Sequence, residues 1–202
     1  VDAPFQVPVK KELKSLRIGF VESAFNDSTT SDNGRNVVDR LLELGFTMVP
    51  VELPEFPTNA LSFLLNVEAA AAFDEMTRSN RDDQLVRQVK RAWPNVFRSA
   101  RYVPAVEYVQ ANRARVLLNQ KMSSLFEKID VYLVPSFYGD NLLRTNLTGH
   151  PCIVLPNGFN DKGMPTSISF IGDIYKDGEL VAVARSYQNG TGWHKRYPPK
   201  FQ

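Results

Sequence analysis

The sequence predicts an α/β protein, a layered mixed sheet with flanking helices. Short apolar runs of strand length alternate with longer stretches whose apolar residues recur at helical spacing. The runs VYLVP at 131–135 and CIVLP at 152–156 are continuously apolar, which suits central strands covered on both faces. A chain of 202 residues, 43% hydrophobic and 23% charged, is long enough and ordinary enough in composition to bury a sizeable core, and a single domain over 1–202 is expected.

Each element has a local reason. Residues 1–15, with Pro4 and Pro8, read as a lead-in or linker. LRIGFV at 16–21 reads as a strand. After the polar stretch NDSTTSDNG, Asp32 is placed to cap a helix whose apolar positions Val37, Val38, Leu41 and Leu42 follow helical spacing, with Gly45 as its stop. A second strand at 46–51 completes a βαβ unit, whose right-handed crossover makes the two strands parallel.

The middle of the chain reads as helical from Thr58 through the cluster Ala69 to Ala72, and a glycine-free series continues from Asp83 to about Ala92. A helix over 105–128 is the clearest, with Leu118, Met122, Leu125, Phe126 and Ile129 along one stripe. Strands return at 131–135, 152–156 and 167–171, and a last helix covers 178–189.

Charge and cysteine content exclude several function classes. A net charge of +2, with 22 acidic residues interspersed among the basic ones, gives no nucleic-acid footprint. The lone cysteine, Cys152, has no partner for an internal disulfide and fits a reducing, cytoplasmic setting. Its place in an apolar run reads as a packed small hydrophobe. No segment approaches the ~18 apolar residues of a membrane span. The first residue is Val1, so upstream sequence is expected to have been removed, and localisation is not legible from this end.

No GxSxG, CxxC or HExxH motif occurs, and the two histidines, His150 and His194, lie far apart, which disfavours a zinc site. What the chain does carry is a set of ordered segments: LRIGFV at 16–21, NVEAAAAFDEMTRSNRDDQL at 66–85, WPNVFRSARYVPAVEYVQANRAR at 93–115, NLTGHPCIVLP at 146–156 with NGF following, GMPTSISFIG at 163–172, and SYQNGTGWHKRYPP at 186–199. Together they resemble the closing region of the amidase signature family, serine hydrolases that cut carboxamide C–N bonds and include the A subunit of tRNA-dependent amidotransferases. The resemblance covers nearly the whole chain and implies a partial amidase-signature fold.

In that family a nucleophilic serine attacks the amide carbonyl while a neutral lysine takes its proton through a serine held in a cis peptide bond, and glycine-rich backbone amides stabilise the oxyanion. The two serines stand in a GGSSGG-type segment, and no such segment occurs between Val1 and Gln202. The resemblance therefore implies the C-terminal portion of a hydrolase whose catalytic half is its missing partner. This portion would complete the fold and the substrate pocket without being catalytic alone. It implies a small-molecule amide substrate and neither metal nor organic cofactor. Homo-oligomer formation through the cut edge is expected, and no nucleic-acid or membrane partner is.

The segment 136–151 is the expected contribution to substrate binding. It follows a central strand, and binding groups in α/β folds gather outside strand ends. The resemblance implies that Asp140, or Asn141 one position on, recognises a substrate amine, since the spacing to Asn146 is one residue shorter than in the amidotransferase pattern. Arg144 has the chemistry to hold a carboxylate bidentately. Asn146 and Thr148 belong to the family motif, and His150 precedes a central strand. Two other readings stand beside this one: a non-catalytic α/β binding or scaffold module, and a fragment of an amidotransferase A subunit, which the segment 93–115 and NLTGHP favour less than a stand-alone amidase.

Overall fold

The computed structural model describes residues 13–198 and Phe201. The lead-in expected over 1–15 lies almost wholly outside the described residues. In chain order the elements are β1 (Arg17–Val21), α1 (Glu22–Asn26), α2 (Asp32–Glu43), β2 (Thr47–Val51), α3 (Phe63–Ala72), α4 (Asp74–Arg78), α5 (Trp93–Ala100) and α6 (Ala105–Phe126). They continue as β3 (Val131–Pro135), α7 (Asn141–Thr148), β4 (Cys152–Phe159), β5 (Pro165–Gly172) and α8 (Asp177–Thr191). The chain divides into two compact units, one formed by the segments up to Glu55 and from Gln120 onward, the other by Phe56–Asn119.

The first unit is built on a five-stranded mixed sheet in the order β2-β1-β3-β5-β4. β1 pairs in parallel with β2 and with β3, as the right-handed crossover requires, while β5 is antiparallel to both β3 and β4. The fit at β1 is close at Gly19, where an added Cβ would come within 2.7 Å of Ile129 Cδ1. β2 closes one edge of the sheet, and Pro50 within it lacks the N–H that an inner strand would have to donate.

Helix α2 begins at Ser31 rather than at the expected Asp32. The Ser31 side chain accepts from the Gly34 N–H, and Asp32 takes the first helical position, where a carboxylate faces the positive end of the helix dipole. The stop at Gly45 is as expected, with φ +85. Val37 and Leu41 are buried, whereas Leu42 turns out toward solvent. α8 packs against β4 and β5, and α2 packs against α8, where an added Cβ on Gly190 would meet Leu44 at 2.9 Å.

The core of this unit sits around β3. Val131, Tyr132, Leu133 and Val134 are all buried, and so are Ile168, Phe170 and Ile171 on β5. Phe170 lies beside Leu133 in register and meets Tyr187 of α8 with ring centroids 5.4 Å apart. Each such side chain contributes roughly 1.5–3 kcal/mol by leaving water.

β4 departs from expectation. It is an outer strand, not a central one, and it runs on to Phe159 with a register shift between Pro156 and Gly158. Cys152 is exposed rather than packed, and Val154 is 55% exposed. Cys152 and Val154 share one face of the strand, and that face lacks a covering layer, so its side chains are left open however apolar the sequence.

The second unit is helical. Thr58–Leu61 forms a single 3-10 turn before α3. α3 packs on α5 through Ala70, Phe97 and Ala100, with Val67, Ala69, Met76 and Leu85 around them. Phe97 stacks on Phe73 at 5.2 Å, and the small alanines allow the two helices to approach closely. The glycine-free series at 85–92 does not continue the helices. Val86 and Val89 both face solvent, so no apolar stripe exists there to hold a helix against a core. Arg98 instead bridges the buried Asp82 at 2.5 Å and Asp83 at 2.6 Å.

Among the described residues no helix is long and apolar enough to cross a membrane. Phe170→Ala is expected to lower the free energy of unfolding by about 3–5 kcal/mol in urea titrations, since it removes an aromatic ring from both β5 and the α8 contact.

Candidate functional site

β1 and β3 run side by side in one direction, and their carboxyl ends open where α/β folds gather binding groups. There β1 gives way to α1 and the turn 27–31, and β3 gives way to residues 136–139. The antiparallel partners bring the start of β5 and the far end of β4 to the same rim. Between these segments lies a cleft of about 710 Å³, whose wall includes Asp27, Thr30, Ser31, Ser136, Asn157 and Ser167.

Several polar groups of this wall already have partners. Asp27 accepts from the Thr29 hydroxyl at 2.6 Å and from its backbone N–H at 2.7 Å. Those two bonds, the hydroxyl first, hold its carboxyl below the ordinary aspartate range. The Thr30 hydroxyl donates to the Ala24 carbonyl at 2.7 Å, and Ser136 shares a hydrogen bond with Ser169 at 3.0 Å. Asn157 differs. It is 4% exposed, and its side-chain oxygen has no hydrogen-bond partner among the described residues.

Among the described residues lining the cleft there is no lysine or histidine, and the only carboxylate is Asp27. A serine without a base in reach is not activated for attack on a carbonyl. Hydroxyl and amide groups can nevertheless orient a polar ligand. Nor do the described residues hold any group of three or more His, Cys, Asp or Glu side chains suited to a metal ion.

The expected binding segment is split by the structure. Residues 136–139 line the cleft, whereas the continuation folds into helix α7, closed by Gly149 at φ +80. Five of the six candidate side chains make hydrogen bonds around this helix. Asn141 accepts from the buried Tyr132 hydroxyl at 2.8 Å. Arg144 donates to the Pro54 carbonyl at 2.9 Å and pairs with Asp140 at 3.1 Å. Thr148 donates to the Arg144 carbonyl at 2.8 Å, and its hydroxyl lies 2.7 Å from His150 Nδ1. Asn146 stands apart on the exposed side of the helix. None of the six is part of the cleft wall.

Since the Thr148 proton goes to the Arg144 carbonyl, His150 Nδ1 must be the donor in its pair. That leaves a lone pair on Nε2, which is buried without a hydrogen-bond partner among the described residues, with Asp173 3.8 Å away. The ring stacks on Phe126 at 5.0 Å. Burial pushes the imidazole pKa down, against a smaller opposing pull from Asp173.

Wall residues outside the expected segment 136–151, among them Thr30, Ser31 and Asn157, were not singled out as site residues by the sequence. Their only signals were a polar stretch before a helix and the NGF triplet.

Comparison with known proteins agrees with the fold. The amidase family model matches residues 1–143. In Rippkaea orientalis, the A subunit of glutamyl-tRNA(Gln) amidotransferase is 27% identical over 93% of this chain and 48% of its own length. The peptide amidase of Stenotrophomonas maltophilia superposes with a TM-score of 0.72 at 20% identity, covering 93% of this chain and 45% of that one. A bacterial aryl acylamidase of the amidase signature family gives 0.70 at 16% identity, covering 92% and 46%. The mixed sheet with flanking helices is thus the amidase-signature architecture, and this chain spans about half the length of those relatives.

The state of His150 makes stability depend on pH. Its folded pKa lies below the unfolded value, so above about pH 6.5 both states are neutral and it contributes nothing. As pH falls through that value the unfolded chain gains a proton that the folded one refuses, and stability is lost. In chemical denaturation between pH 7.5 and 5, the native chain is expected to lose more stability than His150→Gln.

Proposed function

We propose a function on one premise: the chain belongs to the amidase family. It is the C-terminal portion of an amidase-signature hydrolase that cleaves carboxamide C–N bonds. The serine, cis-serine and lysine that perform the cleavage lie in an N-terminal half, and this chain completes the sheet and one wall of the substrate pocket. The observation that carries the reading is the cleft at the carboxyl ends of β1 and β3. It is polar and placed for a ligand, yet among its described lining residues there is no lysine or histidine to activate a serine.

Within that cleft, Ser136, Ser167 and Asn157 offer hydrogen bonds to the acyl side of an amide substrate, while attack comes from the other half. The groups around α7 serve it from behind. Asp140, Asn141, Arg144, Thr148 and His150 hold the segment that follows β3, and Asn146 remains open to a partner surface. The open edge of β4, with Cys152 and Val154 uncovered, is where further strands would extend the sheet. A second reading, an amidotransferase A subunit, is favoured by the relative from Rippkaea orientalis. It would use the same half-fold and the same cleft.

The chain alone, assayed against aliphatic and aromatic amides at high protein concentration, is expected to show no turnover. Hydrolysis that survives stringent purification and disappears on replacing Ser136 or Ser167 with alanine would overturn the assignment. The uncovered edge carries its own expectation. Sedimentation over a wide concentration range should reveal self-association, and Val154→Lys should weaken it without loss of stability, because a charge on an edge strand opposes pairing.

A further inference from the structure

A second cavity, of about 200 Å³, lies between α2, the end of α8 and the 3-10 turn Trp193–Lys195. We infer that it is a binding site for a small oxyanion, a carboxylate or phosphate group, held by Arg40, Arg196 and Asn157. This cavity shares Asn157 with the larger cleft, but its two arginines do not line that cleft, and the inference does not depend on the amidase reading.

Charge is the first ground. Two guanidinium groups line the cavity, and among the described residues of its wall there is no carboxylate. Arg40 pairs with Glu43. Both are well exposed, so that pair contributes little and yields readily to a better-placed anion. The end of α8 presents partial negative charge to the same region, but a helix terminus amounts to about half a unit charge against two full cations.

Preorganisation is the second. The Arg196 guanidinium sits 4.3 Å over the Trp193 ring, and Phe159 meets that ring nearly edge-on at 6.2 Å. Stacking of this kind holds the planar fork in place before a ligand arrives, which reduces what is lost on binding. Tyr187 lines the same wall as a protonated hydroxyl, its pKa pushed up to about 12 by burial with Arg40 opposing.

The third ground is Asn157. Its side-chain oxygen has no hydrogen-bond partner among the described residues, so no such bond fixes the amide from that end. The Asn157 amide also carries two N–H donors on Nδ2, the kind of group an oxyanion accepts from, and the residue lines this cavity. Asn33, which also lines the cavity, by contrast has its Nδ2 donors engaged by the Phe159 carbonyl at 2.8 Å and Thr166 at 3.2 Å.

Trp193 is the reporter. With Trp93→Phe to silence the other tryptophan, the chain is titrated with inorganic phosphate and separately with acetate, at constant ionic strength set by chloride. Emission and calorimetry are followed together. A saturable response to either anion is expected, phosphate alone indicating a phosphate site and acetate alone a carboxylate site. Binding should weaken about tenfold or more in Arg40→Gln and in Arg196→Gln, the loss of one charge-assisted contact. Both arginines are exposed enough for those variants to keep the fold, which circular dichroism checks. Absence of saturation with both anions, or saturation that both variants leave unchanged, overturns the site.

Discussion

Strand β3 carries four consecutive buried side chains, Val131 to Val134, so the sheet must be covered on both faces at its centre. On one face Leu133 and Phe170 meet α8. On the other, the Tyr132 hydroxyl is buried with them and needs a partner, since leaving it unpaired costs about 1–3 kcal/mol. Asn141 supplies it, and that one bond fixes where the crossover to β4 must begin. Arg144 then reaches back to the carbonyl of Pro54, just past β2, and Thr148 anchors His150 over Phe126. Asn141, Arg144, Thr148 and His150 are thus engaged with the fold around β3, while Asn146 stays exposed.

The cleft is the consequence at the strand's far end. With α7 held by these bonds, residues 136–139 must turn sharply off β3, and both Phe137 and Gly139 take positive φ, +67 and +51. For Phe137 this costs roughly 1–2 kcal/mol. The strain leaves its ring almost wholly exposed at the cleft. A large aromatic held outward at a binding rim suits a surface that another segment covers, as the proposed catalytic half would.

Much of this was legible in the chain itself. The βαβ unit followed from helical spacing between Val37 and Leu41 and from Gly45, and β3 from the apolar run VYLVP. Helix α7 was not legible because NLLRTNLT is short, has no side-chain cap and is held by bonds to side chain and backbone outside it, at Tyr132 and at Pro54, the latter far away in sequence. The exposure of Cys152 escaped for a different reason. An apolar run states that a strand prefers cover on both sides, not that its own chain provides it. The cleft wall joins Ser31 to Asn157 only through the fold, and nothing local marks either as a ligand contact.

The account turns on β4 being an edge that a catalytic half completes. Hydrogen exchange of the backbone amides of Cys152–Phe159 tests this directly. Alternate amides of β4 are expected to exchange fast in the chain alone and to become protected when the chain is joined to an N-terminal amidase-signature half. Protection of every β4 amide in the isolated monomer, or no change on joining the two halves, would contradict it.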